Sequence, residues 1–274
     1  MPTDPSAAGE LAPLRNTPDA LAPFVAEGRI PKARVWGMLA LRSALSFASL
    51  LVVAALYAAY GSRGPVAAAA AWWLWFVTVA NLACIWLMAA FGRREGGLRL
   101  RDIYFVSGAT WRGDLLWTLL AIVGTAVFAM LPGTLLAGVL WRDPATPNAM
   151  LFQAIPLWAV YPLFLLMPVT QAFAELPTYW GYVAPRLRAF GTSRWGVIII
   201  VGAVLSLQHL FFSFQLDVRY DLWLGLKFLP FALWTGWIVD RRPTALPYLM
   251  GMHFLLDASL PLLLLLASTG AKLG

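Results

Sequence analysis

Short arginine-bearing breaks divide this chain into apolar runs too long for the elements of a soluble core, and that pattern decides the fold class. The runs fall at 36–60, 66–91, 115–141, 155–185, 195–214, 220–239 and 245–270. About 20 apolar residues cross roughly 30 Å of hydrocarbon as a helix. Backbone groups in lipid must be satisfied inside the segment, and these runs lack the two-residue alternation of barrel strands. The expectation is an all-α, polytopic transmembrane helix bundle of seven spans. The run at 155–185 carries Pro156, Pro162, Pro168, Pro177 and Pro185. Its early part is therefore expected to be kinked or interfacial, and an eighth, re-entrant piece is left open there. Composition agrees: 61% of residues are hydrophobic and 12% charged, where soluble domains are about a quarter charged.

The distribution of charge adds orientation. Arg15, Arg29, Lys32 and Arg34 precede the first run; Arg93, Arg94, Arg99, Arg101 and Arg112 share a second break; Arg186, Arg188 and Arg194 a third; Arg241 and Arg242 a fourth. The alternate breaks carry Arg63, Arg142 beside Asp143, and Arg219 between Asp217 and Asp221, with Lys272 after the last run. The positive-inside rule then predicts a cytoplasmic N-terminus, an outside C-terminus and a multi-pass protein of the cell membrane. A net charge of +7 spread in this way is orientation charge, so no nucleic-acid partner is expected. Residues 1–34, rich in Ala and Pro and lacking a signal-peptide core, are expected to form a mostly disordered cytoplasmic tail, with room for a short interfacial turn at LAPFVAEGR whose prolines argue against a long helix, ahead of one transmembrane domain over 35–274. The break at 93–114 mixes arginines with Leu, Ile, Tyr, Phe and Trp, which suits a segment lying on an anionic membrane surface. The single cysteine, Cys84, permits no disulfide and no multi-cysteine metal site, and reads as a packing residue.

Each ionisable group inside a bilayer costs roughly 2.5–3.5 kcal/mol on insertion scales and needs a reason to be there. Arg42 and Lys227 lie near enough to span ends to be read as snorkelling. That leaves Glu175, His209, His253 and Asp257. Counted from the nearest inside arginine at about 1.5 Å per residue, Glu175 and His253 lie roughly 16 Å deep, and His209 and Asp257 roughly 22 Å. Three runs thus carry polar groups to overlapping depths, as a buried site requires. His253 and Asp257 are spaced i, i+4 in HFLLD and share a helix face, where the carboxylate can orient the ring. Gln171, Glu175, Tyr179 and Tyr182 form a stripe on their run, while Gln208 points away from its neighbour His209.

These residue types admit several chemistries. A glutamate or a Glu–His pair can act as general base on a water, with the second His and the Asp stabilising an oxyanion. The same groups fit a proton relay in a transporter. A structural hydrogen-bond network between helices is the blander reading. Zinc at Glu175, His209 and His253 is an alternative without HExxH support, so no cofactor is expected. No serine or cysteine nucleophile with a partnered base is apparent.

Three short motifs in fixed order resemble the CAAX prenyl protease type II group, the CPBP intramembrane proteases. That family carries EExxxR followed by Gly, then FxxxH, then HxxxN or HxxxD. Here ELPTYWG keeps Glu175 and Gly181, with Leu176 for the second glutamate and Trp180 for the arginine; LSLQH keeps His209 with Leu205 for the phenylalanine; HFLLD matches through His253 and Asp257. The resemblance covers about residues 150–260. It implies a glutamate-dependent intramembrane endopeptidase in which Glu175 with His209 activates water, His253 and Asp257 stabilise the oxyanion, and the partners are membrane lipid and a peptide or lipidated-protein substrate. Replacement of the second glutamate and the arginine together by apolar residues leaves neither charge unpaired. It also makes a catalytically silent scaffold an alternative to the active enzyme.

Overall fold

The computed structural model describes residues 15–104 and 111–270. Those residues are helical and contain no strand. Seven helical stretches are long and apolar enough to cross a membrane: Lys32–Ala59, Trp73–Arg94, Trp111–Trp141, Leu157–Ala189, Arg194–Phe212, Val218–Arg241 and Pro243–Thr269. We call them spans 1 to 7. The protein is a multi-pass membrane protein with an all-α bundle, as the apolar runs predict. Side chains such as Leu116, Val139 and Leu255 are exposed around its perimeter. This is the surface that a hydrocarbon solvent demands.

Neighbouring spans follow the order 1–2–4–7–3–6–5 and back to span 1, a closed ring. Span 4 is the irregular member. It opens with the short turn Leu157–Val160, restarts at Leu163, and passes at Leu176 into a π-helical segment, Pro177–Val183, before ending in Ala184–Ala189. Span 3 carries a second π-helical turn, Ala126–Met130, directly before Leu131–Trp141. A proline adjoins each: Pro177 opens the first, and Pro132 follows the second. Proline cannot donate to the carbonyl one turn back, so the ladder is re-threaded with one extra residue instead of being left open in lipid. The segment Pro177–Val183 is wholly buried and touches spans 1, 2, 5 and 7, so it closes one end of the ring interior. At Gly181 the packing is close: a methyl group would meet Ile103 and Leu246 at 3.1 Å, so those side chains would have to give way. The prolines thus produce one broken span with a π segment.

The same end of the bundle is tied by ion pairs. Glu95 is fully buried and accepts from Tyr182 Oη (2.7 Å), Arg34 Nη1 (2.9 Å) and Arg186 Nε (2.8 Å). Arg186 also donates to the Tyr182 carbonyl (2.8 Å) and to Asn16 Oδ1 (3.2 Å). Arg242 meets Asp114 at 2.6 Å, and Arg194 pairs with Asp240.

Two expectations are corrected here. Of the tail expected to be disordered over 1–34, residues 1–14 lie outside the described residues, but Pro18–Ala26 is a helix. Thr17 caps it by accepting from Ala20 N, and Pro18 sits in the first turn, where its missing N–H costs nothing. Leu21 is fully buried and Asn16 donates to the Gly181 carbonyl at 2.7 Å. Docking on the bundle orders this segment. The break at 93–114 likewise turns inward where it is described: Leu98, Ile103 and Tyr104 are buried in the core, and residues 105–110 lie outside the described set.

Candidate functional site

The ring interior holds a cavity of about 470 Å³ lined from spans 2 to 7, within the size range of small-molecule sites. All four residues singled out by depth line it: Glu175 from span 4, His209 from span 5, and His253 and Asp257 from span 7. Most of the remaining wall is apolar.

Glu175 is 1% exposed. Arg42 Nη1 of span 1 forms an ion pair with its Oε2 at 2.9 Å, Gln171 Nε2 one turn earlier donates to the same oxygen, and His253 Nε2 lies 3.8 Å from it. All three contacts fall on Oε2, and among the described residues none occupies Oε1. Gln171 is itself fixed, its Oε1 accepting from Arg42 Nη2 (2.9 Å) and Asn81 Nδ2 (2.8 Å). The carboxylate thereby meets spans 1 and 7 through one oxygen, and span 2 only indirectly through Gln171. Its other oxygen remains for the cavity.

His253 and Asp257 meet as the i, i+4 spacing predicts, with Nε2 3.2 Å from Oδ2. Nε2 therefore faces carboxylates on two sides, and because these only accept, it is the nitrogen that carries a proton. The Phe231 ring stacks on His253 at 6.4 Å with an 11° interplanar angle. His209 stands apart. Its Nδ1 lies 3.0 Å from the Ser206 carbonyl; a carbonyl only accepts, so Nδ1 carries the proton and Nε2 the lone pair. The ring packs on Phe228 at 4.2 Å and Phe212 at 5.3 Å. No carboxylate among the described residues lies within 4.0 Å of it. The direct Glu175–His209 pair implied by the motifs is absent from this arrangement; the two share a cavity, and depth counting gives no information about helix rotation.

The tyrosine stripe also divides. Tyr179 donates to Gln208 Oε1 at 2.8 Å, so Gln208 does point away from the cavity, and Tyr182 serves Glu95 instead. Trp180, in the position of the family's arginine, is buried in the core against Gly236.

Two site residues were missed. Arg42, expected to snorkel, is fully buried and is the counter-ion of Glu175. Lys227, expected likewise, is 7% exposed and lines the cavity. The signal available was position: Arg42 is ten residues into its span, about 15 Å along the helix. Among the described residues no group of three or more His, Cys, Asp or Glu is arranged to hold a metal ion. Comparison with protein-family models, curated proteins and solved structures finds no match for this chain.

Proposed function

We propose that this protein is an intramembrane endopeptidase that hydrolyses a peptide bond in a membrane-associated substrate. The observation that carries the reading is the one-sided anchoring of Glu175 at the wall of an apolar cavity. With Oε2 held, Oε1 takes a proton from water as the water oxygen attacks the scissile carbonyl, then returns it to the leaving amine. His209 Nε2, with its lone pair free, orients that water. The His253 imidazole, whose Nε2 lies between Glu175 and Asp257, electrostatically stabilises the oxygen that gains charge. The apolar walls exclude bulk water and strengthen each of these interactions.

The test is cleavage of membrane-anchored peptide libraries by the reconstituted protein in ¹⁸O-water, with mass spectrometry of the new carboxyl group. Wild type should incorporate one label per cut, and Glu175→Gln should be slower by roughly a thousandfold. Cleavage that persists in Glu175→Gln overturns the reading. One observation favours a second reading, a catalytically silent scaffold: a carboxylate paired with Arg42 ties span 4 to span 1 without any reaction. That reading predicts no label even in wild type. A proton-coupled transporter would instead show pH-driven uptake into proteoliposomes.

A further inference from the structure

Of the charged side chains that line the cavity, Glu175 is answered from behind the wall by Arg42 at 2.9 Å, and His253 and Asp257 answer each other at 3.2 Å. Lys227 has no such partner: among the described residues no carboxylate lies within 4.0 Å of its ammonium, although the side chain is only 7% exposed and lines the cavity. Nζ sits 3.6 Å from the Trp223 ring centroid and 4.7 Å from that of Phe228. Ring faces soften a desolvated cation but offset less than an anion would. Phe228 is also the ring on which His209 packs, so the ammonium and the His209 imidazole flank one aromatic wall.

The rest of the cavity is shaped for hydrocarbon. Beyond Lys227 its surface is formed by side chains such as Leu224, Met252, Leu260 and Leu263. Ile122 and Met130 of span 3 and Leu256 of span 7 both line it and belong to the exposed apolar perimeter, at 45%, 70% and 44%. The cavity therefore meets the lipid-facing surface beside the π-helical turn Ala126–Met130.

We propose that the cavity binds a single-chain amphiphile with an anionic head, a carboxylate or a phosphate monoester, entering from the lipid between spans 3 and 7, with its head on Lys227 and its chain along the apolar walls. An uncharged head of the same chain length leaves the ammonium unanswered and should bind more weakly. Inorganic phosphate or acetate lacks the chain and should bind weakly too.

The proposal is independent of hydrolysis, since the probes contain no cleavable bond, so failure of the peptidase reading leaves it standing. Scintillation-proximity binding of tritiated decanoate to the full chain in phosphatidylcholine nanodiscs measures it directly. Decanoate and decyl phosphate should compete at similar concentrations, and decanol, acetate and inorganic phosphate should each be weaker by about tenfold or more, the worth of one charge-assisted contact. Lys227→Met should lose about tenfold in decanoate affinity, and Lys227→Arg should retain most of it. Equal binding of decanol and decanoate by wild type overturns the proposal without any variant, as does full affinity in a folded Lys227→Met protein. Competition by inorganic phosphate as strong as by decyl phosphate overturns the amphiphile and leaves a free-anion site.

Discussion

This bundle buries two charged clusters, and they differ in how far their polar atoms are satisfied. At the closed end, Glu95 accepts from three side chains, and Arg186 distributes its donors over Glu95, Asn16 and a backbone carbonyl, with only Nη2 left without a hydrogen bond beside its ion pair to Glu95. At mid-depth, Arg42 Nε, both ring nitrogens of His253, and Asp257 Oδ2 are buried without a hydrogen bond among the described residues, despite the ion pairs beside them. Unmade hydrogen bonds are expensive in low dielectric. The closed-end network is the more nearly satisfied of the two, and local departures from satisfaction are a common feature of functional sites.

The comparison breaks first at Glu95. Removing that carboxylate strands Arg34 and Arg186, so Glu95→Ala should cost about 3–5 kcal/mol and lower the unfolding midpoint in detergent more than any site variant. Near-wild-type unfolding would show that the closed end is not the stabilising one. A mutant cycle at the site is next. Arg42→Met alone strands Glu175 and should cost about 3 kcal/mol, while adding Glu175→Met should recover part of that loss, because an apolar pair replaces a stranded ion. Additive losses would mean that the pair contributes nothing by its pairing. Gly236→Ala should cost about 1–3 kcal/mol, since a methyl group there overlaps the Trp180 ring. Unchanged unfolding would show that Trp180 is free to move. The smallest effect should be His209→Phe, which keeps the stack on Phe228 and Phe212 and loses only the bond to Ser206. Stability should move by about 1 kcal/mol or less while peptide cleavage is abolished. A large stability loss would move His209 into the structural class.

The sequence alone made the spans legible because lipid leaves so few solutions. A 20-residue apolar run has one fold, and seven such runs fix the class. Glu175, His209, His253 and Asp257 were legible for the same reason, as costs requiring an explanation. Arg42 was not. Whether an arginine inside an apolar run snorkels or pairs depends on which span packs beside it, and its partner lies on a span more than a hundred residues later. The missing Glu175–His209 contact has the same origin: depth follows from counting, but rotation about a helix axis follows from packing. The order of Pro18–Ala26 came from Asn16 reaching the Gly181 carbonyl across the bundle, a contact that no local pattern announces.

The ion pair between spans 1 and 4 carries a consequence for biosynthesis. Arg42 enters the membrane with the first span, whereas Glu175 is not translated until three spans are already in place. Over that interval the nascent chain holds a guanidinium in hydrocarbon at a cost of about 2.5–3.5 kcal/mol, offset only when span 4 arrives. Chains truncated between spans 3 and 4 should therefore retain span 1 less securely than chains ending after residue 176, with Arg42→Leu removing the difference, and glycosylation mapping of the two lengths reads this directly. Assembly is thus ordered by charge: span 1 is fully a membrane helix only after the middle of the protein has been made.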